Sequence, residues 1–459
     1  MPQNKTIGFI PQDNRPVSFR QPVMAARLAG CKILTPPSGL LGYRTKPGDC
    51  DKISEWFIES FPKADGWVVS LDMLAYGGLV ASRELLESLS NSMRRIDTIS
   101  EAKKCFPAIP VYAFQAIRRL SITVKSSADL RNWKKHHEND LLKKYRSRNH
   151  KVNLRAIKYL QTGALDRLSL LQEDARPDGP QLKEQKALLA FAAASKTRSK
   201  LCLTTGADEG ALVLLTRLIN RLEGKKIKVK VIFSSEKGAD RIALYEDRPV
   251  RETVFGQLNA IGAEIAVNST KPDFELYVWC PDRPCVDLVF QDRVSGNPLE
   301  LTRFVNWIRK SVQNGRSVVV ADLAYANGAD PEFCRMLSKT VALPRLAGYS
   351  AWNTAANAAG YAVAQGALNL KDKHFLALRL MEDWGYQAEI RAAADLYVKA
   401  VLKGDVWSLT PRKKIQAEKY IKAGLCRWVK KNLSRFNINS FSAALPWART
   451  FEMDIWNIS

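Results

Sequence analysis

Asp13-Asn14-Arg15-Pro16-Val17 returns in the second half of the chain as Glu246-Asp247-Arg248-Pro249-Val250, each copy after an apolar run and each followed by similar text. Leu28-Ala29-Gly30 and the strand-like Ile33-Leu34 follow the first copy; Ile261-Gly262 and Ile265-Ala266-Val267 follow the second. Such a weak internal repeat implies two related β/α halves, each presenting an acid and an arginine where a strand gives way to a helix. Outward from these copies, short runs rich in Val, Ile and Leu alternate with helix-length amphipathic segments, the pattern of parallel β/α units. Strands are predicted at Thr6 to Pro11, Lys32 to Thr35, Trp67 to Leu71, Val111 to Phe114 and Leu201 to Thr205, and again at Val229 to Phe233, Glu264 to Val267, Leu276 to Trp279, Ser317 to Ala321 and Leu346 to Ser350.

The runs divide five and five, with the repeat starting near Lys225. The expected architecture is two Rossmann-like parallel β/α halves facing a shared cleft. The first half covers 1–224, with a mostly helical, basic insertion over 120–200, and the second covers 225–369. A helical C-terminal region follows over 370–459, in which His374 to Met381 and Gln387 to Lys403 show apolar residues at helical spacing. The alternative is a closed (β/α) barrel, because polar residues follow nearly every strand and only a barrel brings all strand ends to one site.

Composition narrows the chemistry. At 459 residues, 46% apolar and 25% charged, the chain is long enough for two or three domains with proper cores. No run approaches the roughly 20 apolar residues of a membrane span, and the start is too short in apolar residues for a secretory signal, so no membrane partner and a cytoplasmic location are expected. The eight cysteines form no paired framework and read as reduced thiols. Four histidines, His136, His137, His150 and His374, leave little material for a His-metal centre or a Ser-His-Asp triad. The formal charge of +24 concentrates between Arg118 and Lys158 and between Lys413 and Lys431. It admits a nucleic-acid or polyanion partner through the 118–158 region, but no recognised nucleic-acid motif accompanies it, and a plain basic surface is the simpler reading.

Acids recur at the predicted strand ends. Asp13 and Arg15 stand together at the rim of the first strand, as ligand groups or as a helix cap with its ion pair. Asp72 ends the apolar Val68-Val69-Ser70-Leu71, with Gly77-Gly78 letting backbone approach it; an acid there is costly unless paired or functional. Asp208 and Glu209 fall where a helix start favours anions. Asp322 ends Val318-Val319-Val320-Ala321, with Tyr325 and Asn327 downstream, and Trp352 beside Asn353 and Thr354 offers an apolar platform with polar groups, or a helix cap beneath a buried ring.

In order, Asp-x-Arg-Pro, Ser70-Leu71-Asp72-Met73-Leu74-Ala75-Tyr76-Gly77-Gly78-Leu79-Val80-Ala81-Ser82-Arg83, Gly206-Ala207-Asp208-Glu209, Tyr245-Glu246-Asp247-Arg248-Pro249 and Gly348-Tyr349-Ser350-Ala351-Trp352-Asn353-Thr354-Ala355-Ala356-Asn357 resemble the bacterial domain-of-unknown-function family 4127, from about Ile7 to about Gly366. The family's usual Pro-Leu-Asp-Asp-Arg-Pro opening is here Pro11-Gln12-Asp13-Asn14-Arg15-Pro16, with one acid replaced by Asn14. The resemblance implies a shared site and brings no reaction with it.

With so little histidine, carboxylates would supply acid and base, as in glycoside cleavage. The expected function is a hydrolase acting on a small polar, carbohydrate-like substrate. Asp72 and Asp322 form its proposed pair, with Asp13 as a further catalytic acid and Arg15, Asp208, Asp247, Arg248, Tyr325, Trp352 and Asn353 binding substrate. No cofactor is called for, although converging carboxylates would suit an oxygen-ligated divalent ion such as magnesium, manganese or calcium. The alternatives are a two-lobed, non-catalytic small-ligand binder with Arg15 and Arg248 as anion clamps, or a basic polyanion binder.

Overall fold

The computed structural model describes residues 5–459 apart from 85, 120, 122, 134–139, 267–270 and 291–292, so Val267, His136 and His137 lie outside the described residues. Two compact units emerge: the first holds 1–123, 132–225 and 259–261, the second 124–131, 226–258 and 262–459.

In the first unit β1 (Thr6–Ile10), β2 (Lys32–Leu34), β3 (Gly66–Ser70), β4 (Val111–Ile117), β5 (Arg167–Gln172) and β6 (Leu201–Thr205) form a parallel sheet in the order β2-β1-β3-β4-β5-β6. The second unit builds β7 (Lys228–Phe233), β8 (Glu264–Ile265), β9 (Phe274–Trp279), β10 (Val318–Asp322) and β11 (Gly348–Ser350) into a parallel sheet in the order β11-β10-β9-β7-β8. Counted from its own first strand, the first sheet runs 2-1-3-4-5-6 and the second 2-1-3-4-5, the doubly wound order whose direction of growth reverses between the first and third strands. Both sheets are open, and the described strands form no closed barrel. All the runs read as strands from the sequence are strands.

Alternation along each strand feeds two helical layers. In the first sheet Trp67 and Val69 join Val111, Ala113 and Leu170 in one apolar core with Ile53, Phe57, Ile96 and Ile99 of the helices Cys50–Ser60 and Leu89–Cys105. Gly8 is a packing requirement there, since a Cβ on it would fall 2.3 Å from the Trp67 ring. In the second sheet Tyr277, Trp279, Val318 and Val320 pack with Phe304 and Phe333 of the helices Pro298–Gln313 and Pro331–Thr340. Phe274 and Val319 take the other face, against Gly366 of the helix Ala355–Leu368.

Three elements depart from the sequence expectation. The insertion read as mostly helical carries β5, whose Leu168, Leu170 and Leu171 lack the β-branched residues that mark a strand. The gap left between the two C-terminal helices is closed by a π-helix, Leu380–Ile390, where Gly385 lies against the Trp428 ring. The tail adds an antiparallel pair, β12 (Ser442–Ala444) with β13 (Asp454–Trp456). Among the described residues no helix is long and apolar enough to cross a membrane.

Candidate functional site

In the first unit every strand but the edge β2 is followed by charge. Beyond β1, Arg15 bridges two carboxylates: its Nε and Nη2 donate to Asp13 Oδ2 at 2.9 and 2.8 Å, and Nη2 and Nη1 donate to Asp208 Oδ1 and Oδ2 at 2.6 and 3.2 Å. The sequence paired Arg15 with Asp13; the structure brings Asp208, from beyond β6, to the same guanidinium. After Pro16 a turn carries the chain to the helix Arg20–Leu28. Glu209 turns back to accept from Ala207 N at 2.9 Å.

Asp72 sits in the first turn of the short helix Leu71–Tyr76 and is wholly buried. It accepts from Ala116 N at 2.9 Å and pairs with Arg118, which also reaches Glu173; Arg83 pairs with Glu173 from the other side. Burial pushes the Asp72 carboxyl above the usual carboxylate range, against the pull of Arg118. At Glu173 burial also acts upward, but Arg83, Arg118 and Arg119 outweigh it and hold the carboxyl down at about 2. Gly78, at φ +125, lets the backbone after this helix pass over Gln12, where a Cβ would meet the Gln12 carbonyl at 3.0 Å.

In the second unit the repeated motif stands apart from its strand. β7 ends at Phe233, a short helix Glu236–Asp240 intervenes, and Glu246 to Pro249 lead directly into the helix Val250–Ile261. Asp247 pairs with the adjacent Arg248 at 2.8 Å. Glu246 accepts from Ala356 N at 3.0 Å and so caps the helix Ala355–Leu368, whose N-cap residue Thr354 makes no side-chain cap bond. Four loops meet around Asp287: its Oδ2 accepts from Tyr245 OH at 2.6 Å and its Oδ1 from Asn327 Nδ2 at 2.9 Å, while Asn327 N donates to Asn353 O at 2.7 Å. Tyr245, Asn327 and Asn353 all hold positive φ, the backbone cost that clusters where loops are over-determined.

Trp352 is buried, with the Arg379 guanidinium 5.6 Å from its ring, and Tyr325 grips Val294 through its hydroxyl at 3.0 Å. Arg379 pairs with Glu382 and Asp383 of the π-helix, and Asp383 accepts from Ala351 N at 2.7 Å, which fixes the segment carrying Trp352.

Asp322, the last residue of β10, has the most unusual environment. Its Oδ2 accepts from Asp330 N at 2.7 Å and from Tyr349 OH at 3.1 Å. Burial, then the charge of Asp330, pushes it up to about 8. Asp330 caps the helix Pro331–Thr340 with Oδ1 and accepts through Oδ2 from Arg283 at 2.7 Å and Trp279 Nε1 at 2.9 Å. Asp330 and Trp279 line a cavity of about 450 Å³, walled also by Leu301, Met336, Glu332 and Arg335. Asp72 and Asp322 belong to different units, each with partners of its own.

Arg118, Glu173, Asp287, Asp330 and Arg283 were not singled out from the sequence. Glu173 follows β5, so the strand-end signal that found Asp72 would have found it had β5 been recognised; Arg118 follows β4, whose end lies three residues beyond the predicted Phe114. Asp287 and Arg283 lie in a long irregular loop with no periodic signal. Among the described residues no group of three or more His, Cys, Asp or Glu side chains is placed to hold a metal ion.

No curated protein matches the chain. Among solved structures, a glucose-galactose binding protein from Geobacillus stearothermophilus aligns over 81% of this chain and 93% of its own, at 10% identity and a TM-score of 0.18, too slight a likeness to bear on fold or ligand. The family described as a protein of unknown function, DUF4127, matches residues 7–141 and 136–456, nearly the whole chain, and this protein belongs to it.

Proposed function

We propose that the protein is an enzyme acting on a small polar, carbohydrate-like substrate by carboxylate acid/base catalysis, with its chemistry at the carboxyl edge of the five-stranded sheet. The observation that carries this reading is the pair at the end of β10: Asp322, buried and accepting from Asp330 N, stands beside Asp330, which is ion-paired to Arg283 and lines the cavity. Burial and the neighbouring carboxylate push Asp322 up to about 8, which suits the acid of an acid/base pair. A cavity of about 450 Å³ lies within the range of small-molecule sites, and Trp279 offers an apolar wall for a sugar's C–H face while Asp330, Glu332 and Arg335 offer polar contacts. In this reading Asp330 acts on the substrate and Asp322 supplies the proton behind it. Asp13 and Asp72, each bound to an arginine, order the strand ends of the first unit with Arg15 and Asp208. Asp247, Arg248, Tyr325, Trp352 and Asn353 order the loops of the second unit.

A second reading, a non-catalytic binder of small polar ligands, draws support from the same contacts: Asp330 Oδ2 is already occupied by Arg283 and Trp279. Calorimetric binding of a monosaccharide panel, together with release of nitrophenol from nitrophenyl glycosides, separates the two. Turnover by the wild type, with Asp322→Asn binding normally but slowed on the order of a thousandfold, supports the enzyme. Binding without turnover leaves the second reading, and neither binding nor turnover removes both.

A further inference from the structure

The two basic stretches of the sequence have different fates. In the first, Arg118, Arg146 and Arg148 are buried, and Arg119 and Arg155 pair with Asp174 and Asp97. The second lies on the helix Pro411–Asn432, which turns Ala417, Ile421, Leu425, Trp428 and Val429 inward. Its outward stripe carries Arg412, Lys419, Lys422 and Lys430, spread over about 27 Å of helix axis. Beside it runs the helical stretch over 391–401, with Lys399 exposed on it and Lys403 just beyond. Tyr397 and Tyr420 join the two, their rings stacked at 4.3 Å and 5°.

None of these six cations forms an ion pair among the described residues. The acids of the same region have hydrogen-bond partners of their own: Asp395 accepts from Thr450 Oγ1 and Asp405 from Ser127 N and Oγ, with Lys399 near both, and Glu418 pairs with Lys414 and accepts from Leu445 N. Aliphatic side chains stand among the cations: Leu396 is 66% exposed, Val401 64% and Ile415 54%.

We propose that this face docks the protein on an anionic lipid bilayer, with the lysine and arginine heads on lipid phosphates and Leu396, Val401 and Ile415 in the boundary between headgroups and acyl chains. Clustered cations beside protruding aliphatics are what an anionic interface selects. Single-stranded nucleic acid would want aromatic faces for its bases, and the aromatics here are stacked on each other. The expectation of no membrane partner rested on the lack of an apolar run of spanning length, and surface docking needs no span.

Co-sedimentation of the full chain with phosphatidylcholine vesicles, with and without phosphatidylserine, tests this. Binding is expected only with phosphatidylserine and is expected to weaken with salt. Each cation contributes a factor of about five near an anionic surface, so Lys419→Gln/Lys422→Gln/Lys430→Gln loses on the order of a hundredfold. Leu396→Ser/Val401→Ser/Ile415→Ser weakens binding with every charge in place. All six side chains are exposed, and unchanged thermal unfolding of both triple variants confirms that folding is intact. Equal binding to uncharged vesicles, no binding to either, or full binding by the glutamine variant overturns the proposal. So does preferential capture of a DNA duplex with the serine variant unaffected, which assigns the face to nucleic acid.

Discussion

Asp322 and Glu173 are both buried carboxyls just past a strand, yet they respond to pH in opposite directions. Glu173 sits among three guanidiniums and is held at about 2, so the stability it contributes is present above the ordinary carboxylate range and is lost as pH falls toward 2. Asp322 forms no ion pair among the described residues and has a second carboxylate nearby, and is pushed up to about 8. Its folded state binds the proton more tightly than the unfolded chain does. That stability is therefore present below pH about 4 and lost as pH rises through 8. Chemical denaturation at a series of pH values checks this. Asp322→Asn should remove from that window a slope of at most about 1.4 kcal/mol per pH unit, and an unchanged slope in the variant would show that Asp322 titrates normally. Asp322, like Asp72, was legible because it ends an apolar run, whereas Glu173 was not, because β5 before it reads as part of a helical insertion. Partners were not legible either: Arg118 lies 46 residues from Asp72 and Asp208 lies 193 from Arg15, separations that only the order of the strands closes.

At the scale of elements, the repeated Arg-Pro-Val motif shows what a short match can and cannot carry. It locates the approach to the first crossover helix in each half, which is why the two-half architecture could be read from the sequence. It does not transfer the side-chain roles. The first copy gathers Asp13 and Asp208 on Arg15, whereas Glu246 of the second copy caps a distant helix, Ala355–Leu368. Glu246→Ala should cost about 1–2 kcal/mol in denaturant unfolding, with Glu246→Gln recovering part of it because an acceptor oxygen remains. Equal losses in both variants would assign the effect to charge alone. The missed β5 has a similar lesson. Leu168, Leu170 and Leu171 fit a helix as well as a strand locally, and only the parallel pairing with β4 and β6 on either side decides between them.

For the whole molecule, two open sheets that share the order 2-1-3-4-5, with a sixth strand added in the first, each carry their own apolar core. One core draws on residues from Ile10 to Leu201 and the other on residues from Tyr277 to Ile455, and each stays within a single unit. Each unit also holds one fully buried arginine–carboxylate network near its carboxyl edge, Arg118 with Asp72 and Glu173 in the first, Arg379 with Glu382 and Asp383 in the second. Breaking a buried pair leaves a charge without its counter-ion, at about 3–5 kcal/mol. In a unit of this size that corresponds to a fall of about 10 °C in unfolding temperature. Cores confined to separate units should unfold as separate transitions in calorimetry. Glu173→Gln should then lower one transition and leave the other in place, and Arg379→Met should do the reverse. A single transition shifted by both substitutions would mean that the two cores unfold as one cooperative body, and that the repeat which divides the sequence does not divide its stability.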